Sequence, residues 1–348
     1  MNKVILALPL AALLGACGEQ SPGGGGGGAA SSALKIVGSS TVYPFTTAVA
    51  EDFQRTNAGL RVTVESTGTG AGLKLFCQGV GGNFPDFTNA SRRIKTSEFD
   101  DCKKNGVNQV IEFPVGIDGL TVIQSADAPP MKLTLRDLYA ALAARPFGKP
   151  QTAQTWRDVN PALPATKIRV LGPPPTSGTR DSLNELFIQK GCESDPAMKA
   201  LKESNEDEHK DICTKLREDG AFVEAGENDN LLVQKVSSDP ATLGVLGYSF
   251  LEENADKVKA VEINGSTPTA QSITDLSYPG ARKIFIYAKG EHMQAKPLMR
   301  DFLASYAKMA GPGGPLQRRG LVPFAAADAA SAQEQATKLT PLTADELK

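Results

Sequence analysis

Short apolar, β-branched runs recur along the chain between longer stretches whose apolar residues return every three or four positions. Leu34–Val37, Arg61–Val64, Val110–Val115, Leu120–Ile123, Ile168–Leu171, Gly244–Tyr248 and Lys283–Tyr287 read as strands. Phe45, Ala48, Val49 and Phe53 share a helical face, as do Leu183, Leu186 and Phe187, and Leu298, Phe302, Leu303 and Tyr306. This alternation predicts an α/β architecture, with largely parallel sheets and helices on both faces. No repeat of solenoid length interrupts it. Gly311–Pro315 reads as a surface loop, and the Ala-rich polar stretch Phe324–Ala336 as a weakly structured tail.

The N-terminus departs from this pattern. Met1-Asn2-Lys3 precedes an apolar run from Val4 to Leu14, then Gly15-Ala16-Cys17, which is the layout of a secretory leader too short to span a bilayer. Leu14-Gly15-Ala16-Cys17 resembles the bacterial lipobox, so residues 1–16 are expected to be removed and Cys17 acylated, anchoring the protein to a membrane. Gly18 is not an Asp, so nothing obvious retains such a lipoprotein on the inner membrane, and a periplasmic protein held at the outer membrane is admitted. Residues 17–32, with an unbroken Gly23 to Gly28, read as a flexible tether, and folding starts near Ala33.

Composition narrows the chemistry. The 348 residues suffice for two domains, and a formal charge of −2 gives no basic surface for nucleic acid. Apart from Cys17 there are four cysteines, Cys77, Cys102, Cys192 and Cys213, which admit three pairings. Export favours disulfides, and the two local pairs, Cys77–Cys102 and Cys192–Cys213, are the simplest arrangement. No CxxC occurs, and His209 and His292 fall at no ligand spacing, so no metal and no cofactor are expected.

Three segments share one design, in which a strand leads through a loop of small residues into an amphipathic helix. They are Gly38-Ser39-Ser40-Thr41, Thr67-Gly68-Thr69-Gly70-Ala71-Gly72 and Thr176-Ser177-Gly178-Thr179. Small residues let an oxyanion approach the free N–H groups of a first helical turn, and hydroxyls add donors. Any one of these loops is as well explained by plain helix capping. Three together point to a shared anion site. None carries the Gly-Lys-Ser/Thr ending of a nucleotide phosphate loop.

These loops are joined by Asn89-Ala90-Ser91-Arg92, Val115-Gly116-Ile117-Asp118-Gly119, Ser177-Gly178-Thr179-Arg180, Glu227–Gln234 and Leu243–Tyr248, in that order. In content and order the set resembles the PstS-type periplasmic phosphate-binding proteins, over nearly all of the chain from Ala33 to about Leu321. The resemblance implies a two-lobed type II periplasmic-binding fold with the ligand between lobes. Residues 33–117 and 279–348 would form the first lobe and residues 118–278 the second. It implies that the protein binds inorganic phosphate and passes it to the membrane permease subunits of an ABC importer, as a monomer and not as an enzyme.

Carried over residue by residue, the likeness makes Ser40, Thr41, Thr69, Gly70, Ser91 and Arg92 ligands from one lobe, and Ser177, Gly178 and Thr179 ligands from the other. Arg92 suits a bidentate grip on two oxygens, whereas Arg93 reads as a surface residue. Two departures stand out. Ser91 occupies a place where an Asp is familiar, and Gly172-Pro173-Pro174-Pro175 a place where an Arg is familiar. Arg92 or Arg180 would then replace the missing cation, and Asp118 becomes the candidate acceptor for the proton of hydrogen phosphate, against the reading of a structural turn Asp before Gly119. Binding of sulfate or another oxyanion by the same fold is the nearest rival. A secreted phosphatase is a remote one, since neither His stands near a Ser in a Gly-x-Ser-x-Gly setting.

Overall fold

In strand β1 (Ala33–Gly38), Leu34, Ile36 and Val37 are buried, and the strand lies between β2 (Arg61–Ser66) and β3 (Phe87–Ala90), parallel to both. The computed structural model describes residues 33–226 and 228–347. The leader, Cys17, the tether and Glu227 lie outside the described residues. The remaining strands are β4 (Val110–Ser125), β5 (Lys132–Leu133), β6 (Val170–Gly172), β7 (Phe222–Glu224), β8 (Leu243–Gly247), β9 (Val258–Ala260), β10 (Glu262–Ile263) and β11 (Ala281–Lys289).

The main sheet runs β2-β1-β3-β11-β4-β8-β6-β7, with β9 also on β4. It is mixed where largely parallel sheets were expected: β11 is antiparallel to β3 and β4, and β4 to β8 and β9. The reason is β4. Val110–Val115 and Leu120–Ile123, which read as two strands, are parts of one 16-residue strand. Its first part, through Gly119, pairs with β11, and from Leu120 it pairs with β8. A strand that passes from one half of the molecule to the other needs a partner running the opposite way to bring the chain back, and β11 is that partner.

Helices α1 (Tyr43–Thr56) and α2 (Thr69–Phe76) pack beside β1 to β3, and α3 (Thr96–Lys104) packs on α2. In the other half, α4 (Leu135–Leu142) and α5 (Trp156–Val159) start on Thr134 and Thr155, each of which caps its helix. Helix α6 (Gly178–Ser182) continues through one π-helical turn, Leu183–Ile188, into α7 (Gln189–Cys192). The helix Leu298–Ala310 buries Phe302, Leu303 and Tyr306, the face its periodicity predicts. Phe302 packs against Phe53, Phe87 and Tyr306.

The Ala-rich stretch is a correction. Ala326–Lys338 is a helix that buries Ala332 and Ala336 and packs on Leu298–Ala310 and on β4. Alanine has the highest helix propensity, and its small side chain lets a helix lie close to a sheet. Backbone bridges from Val322 to Ile117 and from Pro341 to Ile111 hold the segment along β4. Both local disulfides are present, Cys77–Cys102 and Cys192–Cys213.

Candidate anion-binding site

Three loops of the first half meet at the end of β1. Gly38 has φ of +124°, and a Cβ there would lie 2.2 Å from the Asn89 carbonyl oxygen, so only glycine fits. Its own carbonyl accepts from the Thr67 and Gly68 N–H groups, both at 2.9 Å, while the Ser39 N–H donates to Asn89 O at 2.9 Å. The Ser40, Thr69 and Ser91 loops are thereby locked together by backbone bonds. Thr69 Oγ1 and Ser91 Oγ are 2.9 Å apart, and the Ser91 N–H donates to Thr69 Oγ1. Neither α1 nor α2 has a side chain capping its first turn, since Val42 and Gly68 stand at the cap positions. In α1 the Tyr43 N–H goes to Ser39 O at 3.0 Å and Pro44 has no N–H, whereas the Thr69 and Gly70 N–H groups that open α2 have no partner within the helix.

The second half enters through α6. Ser177 caps that helix, its Oγ accepting from the Thr179 N–H at 3.2 Å. Gly178 comes so near the first half that a Cβ would lie 2.3 Å from Ser40 O. Thr41 Oγ1 donates to Gly178 O at 3.1 Å.

At the centre stands Arg282, the second residue of β11, with a side chain only 11% exposed. Its Nε donates to Asp118 Oδ2 at 3.1 Å, and its Nη2 to Thr41 Oγ1 at 3.0 Å and Ser182 Oγ at 2.9 Å. Its Nη1 pairs with Glu185. Ser182 Oγ donates to Asp118 Oδ2 at 2.8 Å, and Ser91 Oγ to Glu185 Oε2 at 3.1 Å. The Ser40 hydroxyl donates to Asp181. Burial, with the Glu185 charge behind it, raises the Asp181 carboxyl above the usual carboxylate range. A cavity of about 990 Å³ opens here, with Thr69, Gly70, Ser91, Asp181, Glu185 and Arg282 in its lining. Among the described residues no group of three or more His, Cys, Asp or Glu side chains could hold a metal ion, and no helix is long and apolar enough to cross a membrane.

Ser40, Thr41, Thr69, Gly70, Ser91, Asp118, Ser177, Gly178 and Thr179 are thus brought into one region, and Arg92 also lines the cavity. Its guanidinium makes a bidentate pair with Glu98, at 2.9 and 2.7 Å, and that partner raises its pKa. The fork expected to grip two anion oxygens already holds a carboxylate. Arg180 lies with its guanidinium on Pro173 O at 2.8 Å and over the Phe222 ring. Arg93 is exposed, as expected of a surface residue, and pairs with Glu112 at 2.9 Å.

The cation that reaches both halves is Arg282, which no sequence motif marked. Its one signal was position, at the start of an expected strand beside the expected return crossing. Asp181, Ser182 and Glu185 were also missed, although they follow the Ser177–Thr179 loop on the same helical run.

Residues 24–307 match a family model described as a PBP superfamily domain. The protein SphX of Synechococcus elongatus is 36% identical over 283 residues, covering 79% of this chain and 73% of the relative. The phosphate-binding protein PstS of Staphylococcus epidermidis is 32% identical over 305 residues, covering 85% of this chain and 81% of the relative. A crystal structure described as that of a possible phosphate binding protein from Planctomyces limnophilus aligns with a TM-score of 0.68 at 27% identity, covering 88% of this chain and 98% of the other.

Proposed function

Because the chain belongs to the PBP superfamily, in the family of SphX and the phosphate-binding protein PstS, we propose that it binds inorganic phosphate in this cleft and delivers it to an ABC-type importer. The observation that carries the reading is the convergence of hydroxyls from two halves of the chain, beside the first turn of α2, around one buried guanidinium. A desolvated dianion needs several donors per oxygen and at least one cation, and this arrangement supplies both. Ser40, Thr41, Thr69, Gly70 and Ser91 would donate from one lobe and Ser177, Gly178 and Thr179 from the other, with Arg282 rather than Arg92 as the main cation. Lobes of residues 33–117 with 279–348, and of residues 118–278, accord with the change of β4 partner at Gly119 and Leu120.

Asp118 would read the ligand's proton. Its Oδ2 takes the bonds from Ser182 and Arg282, and Oδ1 accepts neither of them. Hydrogen phosphate can donate to such an oxygen and sulfate cannot, so sulfate would leave it unpaired. Calorimetric titration with phosphate and then sulfate tests this: tight phosphate and weak sulfate support it, and equal binding makes the protein a general oxyanion receptor. Turnover of a phosphate ester would instead favour the phosphatase. Acylation of Cys17 would hold the protein, as a monomer, at a membrane facing the periplasm. Replacing Cys17 by Ser should then release it from the membrane fraction.

A further inference from the structure

Two serines that face the cleft are not free to greet an anion. Ser40 Oγ donates to Asp181 and Ser91 Oγ to Glu185, and both carboxylates come from the opposite half of the chain. Asp181 and Glu185 lie four residues apart on α6 and the π-helical turn that follows it, so they project from neighbouring turns of one helical run. Each hydroxyl has a single proton to give. A carboxylate oxygen and a phosphate oxygen ask for that same proton, and they cannot both have it.

Charge sharpens the competition. Arg282 from β11 already faces Asp118 from β4 and Glu185. Asp181 has Ser40 opposite it, Glu185 one turn away and Arg180 next in sequence. Arg92 and Lys190 also line the cavity, Arg92 within electrostatic reach of Glu185 and Lys190 of Arg282; a dianion still adds two negative charges directly beside Asp118, Asp181 and Glu185, and in a partly buried cleft such repulsion is poorly screened. The carboxylates must therefore leave the serines as the anion arrives.

We propose that Asp181 and Glu185 form an internal counter-anion, a latch that bridges the two halves through Ser40 and Ser91 and that an incoming oxyanion must displace. On this reading the pair sets the affinity of the site by opposing the ligand. It rests on the proposed oxyanion function and adds to it a residue role that the ligand-donor set does not contain. A role as ligand-proton acceptors predicts the opposite sign, since removing an acceptor weakens binding.

The test uses Asp181→Asn, Glu185→Gln and the double variant, each checked for native circular dichroism and titrated with inorganic phosphate. Removing a competitor raises the fraction of binding-competent protein, so the double variant should bind phosphate about tenfold more tightly than the parent or better. Unchanged or weaker binding overturns the proposal. A second measurement does not depend on the ligand. In phosphate-free buffer, small-angle scattering of an Asp181→Ala, Glu185→Ala variant should give a larger radius of gyration than the parent, because the bridges between the halves are gone, and an equal radius overturns the latch. If the parent itself fails to bind phosphate, the proposed function falls, and the scattering comparison still decides the latch.

Discussion

Arg282 holds the cleft together by reaching four side chains with three nitrogens, and its loss would leave Asp118 and Glu185 without their cation. Truncating one partner of a buried, hydrogen-bonded ion pair costs roughly 2–5 kcal/mol of binding. Arg282→Ala is therefore expected to weaken phosphate by at least about 2 kcal/mol in calorimetry. Arg282→Lys should restore only part of this, because an ammonium cannot reproduce the planar fork. Arg92→Ala, which breaks a partly exposed pair with Glu98, should cost under about 1 kcal/mol.

A second residue-scale prediction concerns pH. Lys289 is fully buried, with Nζ 2.5 Å from Gly79 O and lying over the Phe76 and Phe84 rings, and burial lowers its pKa from the usual 10.5 to about 8. Between those values the unfolded chain binds more protons than the folded one, so this group's contribution makes the fold more stable as pH rises. Below about 8 the lysine is charged in both states and its burial opposes folding in full. Lys289→Met removes the effect. The melting temperature of the variant relative to the parent should therefore fall as the pH goes from about 8 to about 10.

At the scale of elements, the two disulfides act in different places. Cys77 closes α2 and Cys102 lies in α3, so this bond staples the helix that follows the Thr69 loop to its neighbour. Cys192 ends α7, and its partner Cys213 lies in the helix Glu206–Thr214. Each closes a short loop, worth about 3 kcal/mol in the chain-entropy account. Replacing either pair by Ser should lower the urea-derived stability by about that amount. Loss of Cys77–Cys102 should also raise hydrogen exchange in the Thr69 loop, and loss of Cys192–Cys213 should not. The π-helical turn after α6 has a separate consequence. One extra residue per turn re-aims the side chains, and such turns gather at functional sites; here the turn contains Glu185, which meets both Ser91 and Arg282.

The whole molecule turns on β4, which pairs with the antiparallel β11 in the first half and with β8 in the second. Domain closure about such crossings brings two faces into contact and is stabilised by whatever touches both. Gly178 is a point of close backbone approach in that contact. Its backbone is in the ordinary region, so alanine is locally tolerated, yet the new Cβ would lie 2.3 Å from Ser40 O across the cleft. Gly178→Ala should therefore keep the parent's melting temperature while weakening phosphate by at least about tenfold, since the closed state becomes less populated. A radius of gyration larger than the parent's, with or without phosphate, would accompany it.

Local signals carried a good part of this. The face of Phe45, Ala48, Val49 and Phe53, the helix holding Phe302 and Tyr306, the apolar runs, the small-residue loops and the motifs that resemble the family are all written within short stretches. Short-range sterics and periodicity determine such features before the chain folds. The Ala-rich segment was misjudged because its burial depends on a partner, β4, that is more than 200 residues away. The same holds for Arg282, whose partner Asp118 is 164 residues distant and whose partner Thr41 is 241 residues distant. Arg92 lines the cavity its motif pointed to, and the fold pairs its guanidinium with Glu98, which no motif announced. Which cation faces the cleft, and which carboxylates share it, follows from how β11 and α6 are brought beside the loops of the first half. Pairing over such separations is a property of tertiary packing, and no periodicity or spacing along the chain encodes it.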